Sequence, residues 1–146
     1  MNNFMDKSGV IPYVFDNGVL WVLLVTPTNP NFGGPNPQIC KVCIETLDVC
    51  GVDTAVKELK EETGINIKNY DLIYGKCYNL QKKILNSFYL DYKLYIHYVE
   101  LKEKILHPLT ETDGEVIPNW YRIPTALKVI RKDQKHILID FISCLI

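Results

Sequence analysis

The sequence has no long apolar run, no excess of charge of either sign and no internal repeat. Because no apolar stretch approaches about 18 residues, we expect no membrane-spanning helix. The formal net charge is only −1, so no broad positive field predicts a nucleic-acid partner. Residues 1–7 also lack the long apolar region of a signal peptide, which predicts a cytoplasmic protein.

The sequence is also poor in the cysteine and histidine pairs that bind structural zinc. Of the five cysteines, only Cys40 and Cys43 form a C-x-x-C pair. A structural zinc site usually draws four ligands from two close pairs, and residues three apart on a strand point to opposite faces. We therefore expect reduced thiols, neither a zinc site nor a disulfide framework. His97, His107 and His136 are isolated, and we expect structural or surface roles for them.

The 146 residues contain strands and helices enough for a single domain spanning residues 1–146. Asp16-Asn17-Gly18 predicts a tight hairpin turn, and Gly64 predicts the end of a helix. Predicted strands span residues 9–15, 19–26, 38–45, 72–79, 88–99 and 120–123, and predicted helices span residues 51–63, 125–131 and 134–145. Because these elements follow no regular βαβ repeat, we expect an α/β protein with a central mixed β-sheet flanked by helices.

Three carboxylates on the first predicted helix are the strongest chemical signal. Glu58, Glu61 and Glu62 stand at i, i+3 and i+4, so the helix is expected to project all three to one side. They repel one another and lie near the helix C-terminus, where the dipole disfavours anions. A divalent cation that prefers oxygen ligands, Mg²⁺ or Mn²⁺, would relieve the repulsion. A solvated acidic face is the alternative.

The residues around these carboxylates resemble the Nudix box, G-x5-E-x7-R-E-U-x-E-E-x-G-U, in which U is aliphatic. Residues 57–65, KELKEETGI, match its second half, and the box as a whole spans about residues 42–65. An N-terminal GVIPY strand, a DNG hairpin, an FGGP loop and a late Trp-Tyr strand also resemble small Nudix proteins. The resemblance covers nearly the whole chain and implies a Nudix-like α/β/α sandwich.

The first half of the box departs from the Nudix pattern. Val42 stands at the first Gly, whose main-chain carbonyl binds metal in the family, so the resemblance implies this carbonyl as a ligand. Asp48 stands at the first Glu and Leu47 at the Gly before it, with one extra residue between Asp48 and Lys57. Lys57 replaces an Arg that braces a catalytic Glu in the family. Because Lys lacks the bidentate fork of Arg, we expect Glu58 to be held less firmly.

The resemblance implies a Mg²⁺- or Mn²⁺-dependent hydrolase of a nucleoside diphosphate linked to another group. A nucleotide sugar, a dinucleoside polyphosphate and a nucleoside triphosphate all fit this description. Glu58, Glu61 and Glu62 are the implied metal ligands, and Glu61 is also a candidate base. Glu115 and Glu111 are candidate further acids, with a solvated acidic turn as the alternative. The altered half-box favours a second function, a catalytically weakened nucleotide-binding or regulatory module on the same fold.

The charge is unevenly distributed along the chain. Residues 45–62 carry a local charge of −4 and the remainder carries +3, which suits a metal cage that presents cations to a small nucleotide.

Lys41 is a candidate phosphate contact, and Phe32 and Tyr78 are candidates for stacking on a base. A basic cluster near the C-terminus is expected to be a solvated helix face and not a nucleic-acid site. Its members are Lys128, Arg131, Lys132 and Lys135. Dimerisation is common among Nudix proteins, and a homodimer stays open.

Overall fold

A computed structural model describes residues 6–31, 33–45, 48 and 51–145 of the protein. These residues contain one six-stranded mixed sheet. The strands are β1 (Lys7–Asp16), β2 (Val19–Pro27), β3 (Cys40–Cys43), β4 (Ile73–Leu85), β5 (Phe88–Glu100) and β6 (Val116–Arg122). Five of them lie in the order β4-β5-β1-β2-β6, and β3 pairs with β1. The β1–β5 pair is parallel and the other pairs are antiparallel, which confirms the predicted mixed sheet.

The first strand organises the sheet because it is long enough to serve three neighbours. Its first half, from Lys7 to Val10, pairs with β3, and its second half, from Tyr13 to Asp16, pairs with β2. Along its other edge it pairs with β5. Seven of its ten residues are buried, as expected for a strand covered on both faces.

Helices cover both faces of the sheet. Helix α1 (Val52–Thr63) packs on one face, and α2 (Ile123–Val129) and α3 (Lys135–Leu145) lie on the other. Neighbouring residues of β1 point to opposite faces, so Val10 packs with α1 and Ile11 packs with α3. This arrangement confirms the predicted α/β/α sandwich. Within the described residues, none of the helices combines the length and the apolar character that a membrane crossing needs.

The predicted hairpin turn and the predicted end of α1 are confirmed, whereas several strands differ in length from prediction. The strand predicted at 120–123 spans Val116–Arg122, and the helix predicted at 125–131 spans Ile123–Val129. Asn17 and Gly18 have φ angles of 51° and 78°, and α1 ends at Gly64 with a φ of 79°. The strand predicted at 38–45 is limited to Cys40–Cys43, because β1 pairs with these four residues. The strand predicted at 72–79 continues to Leu85, where β4 and β5 form a hairpin that extends beyond the core with mostly exposed residues.

The start of α1 lies against β1 so closely that only glycine fits. Gly51 has a φ of 77°, and a Cβ there would lie 2.5 Å from the Cβ of Ser8. Gly18 has a similar φ of 78°, but a Cβ there would meet nothing within 4 Å. A side chain at Gly18 would therefore meet backbone strain alone, whereas a side chain at Gly51 would meet both strain and steric crowding.

Gly51→Ala is expected to lower the free energy of unfolding by about 2–5 kcal/mol, combining left-handed strain with overpacking against Ser8. Gly18→Ala carries the strain alone and is expected to cost about 1–2 kcal/mol. Urea denaturation of the two variants measures both effects. Equal losses would show that β1 does not crowd the start of α1.

Candidate functional site

Two carboxyl groups of α1 form a close pair, which we call the carboxylate pair, Glu58 and Glu62. Glu62 is buried, with 6% of its surface exposed, and Glu58 is half-buried. Burial is the main cause of the raised pKa of both groups. A hydrogen bond joins the two carboxyl groups; it raises the pKa of Glu62 further and offsets part of the rise at Glu58. Glu62 is therefore the group that holds a proton when no cation is bound.

The helix places Glu61 apart from Glu58 and Glu62, although all three carboxylates were expected to share one side. Ala55 and Leu59 form the buried stripe of α1, and Glu62 follows Leu59 at i+3, so it turns inward with them. Glu61 is exposed and lines a different cavity, with Lys57 and Asp113. The prediction that all three carboxylates share one side is therefore wrong, because Glu61 lies apart from the carboxylate pair.

Strand β3 brings Cys40 close to Glu62 of the carboxylate pair. The Sγ atom of Cys40 lies 3.9 Å from Oε2 of Glu62, and Cys40 is almost fully buried. Burial is the main cause of the raised pKa of this thiol, so Cys40 stays a neutral thiol that donates to Oε2 of Glu62. Cys40 is thus a buried small thiol, as predicted. Its contact with Glu62 was not predicted, because a strand sequence does not reveal its register against a helix.

A cavity of about 420 Å³ opens beside Glu62 and is called here the carboxylate cavity. Its wall includes Glu62 from α1, Lys41 from β3 and Glu115 from the segment before β6. Thr28 holds that segment in place, because its main-chain N–H and its hydroxyl both donate to the main-chain oxygen of Glu115, each at 3.0 Å. Glu115 is thereby brought to the same cavity as Glu62, as its prediction as a further acid requires.

Two other predicted site residues, Glu111 and Val42, are not part of the described wall of the carboxylate cavity. A carboxylate oxygen of Glu111 lies 3.1 Å from Nδ1 of His107, and Glu111 lines the cavity beside Glu61. Val42 pairs with Ser8 in the sheet, and the described wall of the carboxylate cavity includes its neighbour Lys41 but not Val42 itself.

Lys57 does not brace Glu58 as the family pattern suggested. Its ammonium lies 2.9 Å from a carboxylate oxygen of Glu45, and both side chains are largely exposed. The hydrogen bond from Lys57 to Glu45 is the main cause of the raised pKa of Lys57. An exposed ion pair of this kind contributes little to stability, so the position of Glu58 depends on the packing of α1.

Asp48 fixes the start of α1. Its carboxylate accepts hydrogen bonds from the main-chain N–H groups of Gly51 at 3.1 Å and Thr54 at 2.7 Å. Carboxylates at this position satisfy helix donors that have no partner within the helix, and they favour the positive end of its dipole. The acid at the first Glu position of the box therefore acts here as a helix cap, which positions the carboxylate pair.

Several other candidates have structural roles. Tyr78 donates to Asp140 at 2.8 Å and packs on the face of the sheet opposite α1, which is contrary to base stacking at this site. His97 is buried, with Nδ1 3.3 Å from the main-chain oxygen of Gly9, and burial lowers its pKa. Phe32, Leu47 and Cys50 lie outside the described residues.

The donors around Glu62 fit a hard divalent cation. The two carboxyl groups of the pair have raised pKa values in the absence of a cation, and Glu115 adds a third carboxylate on the wall of the cavity beside them. Within the described part of the chain, no three His, Cys, Asp or Glu side chains already enclose a metal position. The chain therefore offers a partial ligand set, and Mg²⁺ commonly completes such a set with water and substrate phosphate.

The buried carboxyl group of Glu62 is expected to lower the stability of the protein when no metal is bound. Glu62→Gln is expected to raise its free energy of unfolding by about 1–3 kcal/mol, because an amide replaces a buried carboxyl group with no cation beside it. Glu61→Gln changes an exposed residue and is expected to stay within about 0.5 kcal/mol of the parent. Urea unfolding in EDTA at pH 8 measures both. A destabilised Glu62→Gln protein would contradict the account of the pair.

Comparison with known proteins identifies the fold. No family model and no curated protein matches the sequence. The NUDIX domain of Shewanella oneidensis NrtR, complexed with ADP ribose, is similar with a TM-score of 0.77 and 13% identity over 100% of this chain and 91% of that one. A C. elegans Ap4A hydrolase binary complex matches with a TM-score of 0.70 and 15% identity over 97% of both chains. A mutT/nudix family protein from Listeria innocua matches with a TM-score of 0.69 and 18% identity over 99% of this chain and 96% of that one. The chain therefore has the Nudix fold.

Proposed function

We propose that this protein is a Mg²⁺- or Mn²⁺-dependent pyrophosphohydrolase that cleaves a phosphoanhydride bond in a nucleoside diphosphate linked to another group. The observation that carries the proposal is the carboxylate pair, whose buried member Glu62 lines a cavity that also contains Glu115 and Lys41. The fold supports it, because similar structures include an Ap4A hydrolase and a NUDIX domain complexed with ADP ribose. Both of those ligands contain a nucleoside joined through a phosphoanhydride.

Glu58 and Glu62 are the proposed principal metal ligands. The carboxylate of Glu61 and the main-chain carbonyl of Val42 are the further ligands that the family pattern implies. A divalent cation bound here would neutralise phosphate oxygens and lower the pKa of a water molecule. The acidic residues alone would repel an anionic substrate, so the cation and a nearby lysine have to offset their charge.

Lys41 supplies that lysine. It is half-buried on the cavity wall, and burial followed by the charges of Lys7 and Arg131 lowers its pKa to about 8. An anionic substrate would stabilise the charged form of Lys41, so we assign it the role of holding a phosphate oxygen. Glu115 is the proposed base, because it shares the cavity with Glu62 and can take a proton from the attacking water.

A second candidate function is nucleotide binding without efficient cleavage. The specific observation in its favour is the pairing of Lys57 with Glu45, which leaves Glu58 without the brace that the family pattern provides. A structure of Shewanella oneidensis NrtR complexed with a 27mer DNA is also among the similar folds, so this fold occurs in a protein that binds DNA. Turnover distinguishes the two functions.

A panel of nucleotides tests the proposal. The protein is incubated with Mg²⁺ or Mn²⁺ and each of three substrates: ADP-ribose, a dinucleoside tetraphosphate or a nucleoside triphosphate. Anion-exchange chromatography then separates and measures the nucleotide products. We expect metal-dependent hydrolysis of at least one class. Glu62→Gln is expected to lower kcat roughly 100-fold or more, the scale of losing one electrostatic contact to a transition state.

Glu103→Gln is the matched control, since it removes one exposed acid from the loop after β5 and should leave kcat unchanged. Glu61→Gln decides whether the exposed carboxylate is a ligand, because only a ligand or base would lower kcat. Binding of nucleotides without turnover in the parent protein would support the regulatory function and overturn the enzymatic one.

A further inference from the structure

We propose that a second pocket, next to the carboxylate cavity, binds additional phosphate groups of the substrate beyond the bond that is cleaved. This inference rests on the proposed function and narrows its substrate class. It favours nucleotides with an extended polyphosphate chain over nucleotide sugars, which have no phosphate groups beyond the diphosphate. The pocket has a volume of about 620 Å³ and is called here the basic pocket.

The described wall of the basic pocket is strongly cationic. Five of its residues carry positive charge, and one carries negative charge, Asp133. The five cations are Lys7, Lys41, Lys82, Lys83 and Arg131. They come from β1, β3, β4 and the segment after α2, so the fold gathers them from distant parts of the sequence. A protein of net charge −1 thus concentrates positive charge at one concave surface.

The cations lie close enough to destabilise one another. Burial is the main cause of the lowered pKa of Lys7, and the charges of Lys82 and Arg131 lower it further. The one carboxylate on the described wall, Asp133, pairs with Arg131, whereas a polyanion in the pocket would also offset the charges of the four lysines.

Arg131 is held in a fixed orientation at the pocket wall. Its guanidinium donates to both carboxylate oxygens of Asp133, at 2.6 and 2.9 Å, and to the side-chain oxygen of Gln38 at 3.2 Å. Holding the guanidinium in one orientation reduces the entropy lost when it binds an anion. The expectation that this residue belongs to a solvated helix face is therefore wrong, because it follows α2 and faces a pocket.

The two cavities are neighbours. Lys41 and Gln38 belong to the wall of the carboxylate cavity and also to that of the basic pocket. A phosphate chain with one group near Glu62 can therefore continue past Lys41 toward Arg131. The exposed end of β4 gains a role from this arrangement, because it brings Lys82 and Lys83 to the pocket.

Inorganic tripolyphosphate is the probe that tests the pocket without relying on turnover. Calorimetric titration in EDTA is expected to show binding to the parent protein and to Glu62→Gln alike. The double variant Lys82→Gln/Lys83→Gln is expected to bind about tenfold more weakly, because it loses two charged contacts. Both lysines are exposed, and circular dichroism checks that the variant folds.

The control is Lys102→Gln/Lys128→Gln, which removes the same charge from exposed positions outside both cavity walls. Its affinity for tripolyphosphate should stay within about twofold of the parent. Equal weakening in both double variants would show a net-charge effect and overturn the pocket, as would an absence of binding to the parent protein. Loss of binding in Glu62→Gln would place tripolyphosphate in the carboxylate cavity and overturn a separate pocket.

Turnover gives an independent comparison if the protein hydrolyses nucleotides. Lys82→Gln/Lys83→Gln should raise KM for a dinucleoside tetraphosphate about tenfold and leave KM for ADP-ribose within about twofold. An equal rise for both substrates would contradict the proposed selectivity. Because the binding experiment needs no hydrolysis, the pocket can fail while the enzyme proposal stands, and the reverse is also true.

Discussion

The burial of one pair of carboxyl groups is the constraint on which the site depends. Glu58 and Glu62 stand one helical turn apart, and Glu62 occupies a position on α1 that the packing would otherwise give to an apolar residue. Removing a carboxylate from water costs several kcal/mol unless a partner offsets it. The sandwich holds the pair in this position, and burial raises the pKa of both carboxyl groups.

The surrounding structure acts mainly by placing α1. Asp48 caps the helix, and Gly51 allows its first turn to lie against β1. The same strand carries β3, whose Cys40 touches Glu62 and whose Lys41 faces the cavity. Strand β1 therefore connects both sides of the site, through its close contact with Gly51 and its pairing with β3.

Local chemistry made much of the fold predictable. The Asn-Gly turn, the Gly64 helix end and the limits of α1 follow from residues next to one another in sequence, and the Nudix pattern supplied the sandwich. The separation of Glu61 from Glu62 was not predictable, because both fit the same i+3 and i+4 spacing. Its outcome depends on how α1 is rotated against the sheet, which is a tertiary property.

Two other features, the end of β4 and the basic pocket, were not predicted from the sequence for related reasons. The end of β4 has solvent on both sides, so it shows no alternation of apolar and polar residues that would indicate a strand. The basic pocket draws Lys7, Lys82 and Arg131 from three separate segments, and their proximity depends on the order of strands in the sheet. The sequence showed an acidic segment in a slightly basic chain, and the fold places the two kinds of charge side by side.

The most direct measurement is an anomalous difference map from crystals of the protein grown with Mn²⁺. If the buried pair is the metal site, a manganese peak lies within coordination distance of the carboxylates of Glu58 and Glu62 and disappears in Glu62→Gln crystals. A peak beside exposed Glu61 alone, or one that persists in Glu62→Gln, would contradict the assignment of the pair as the centre of the site.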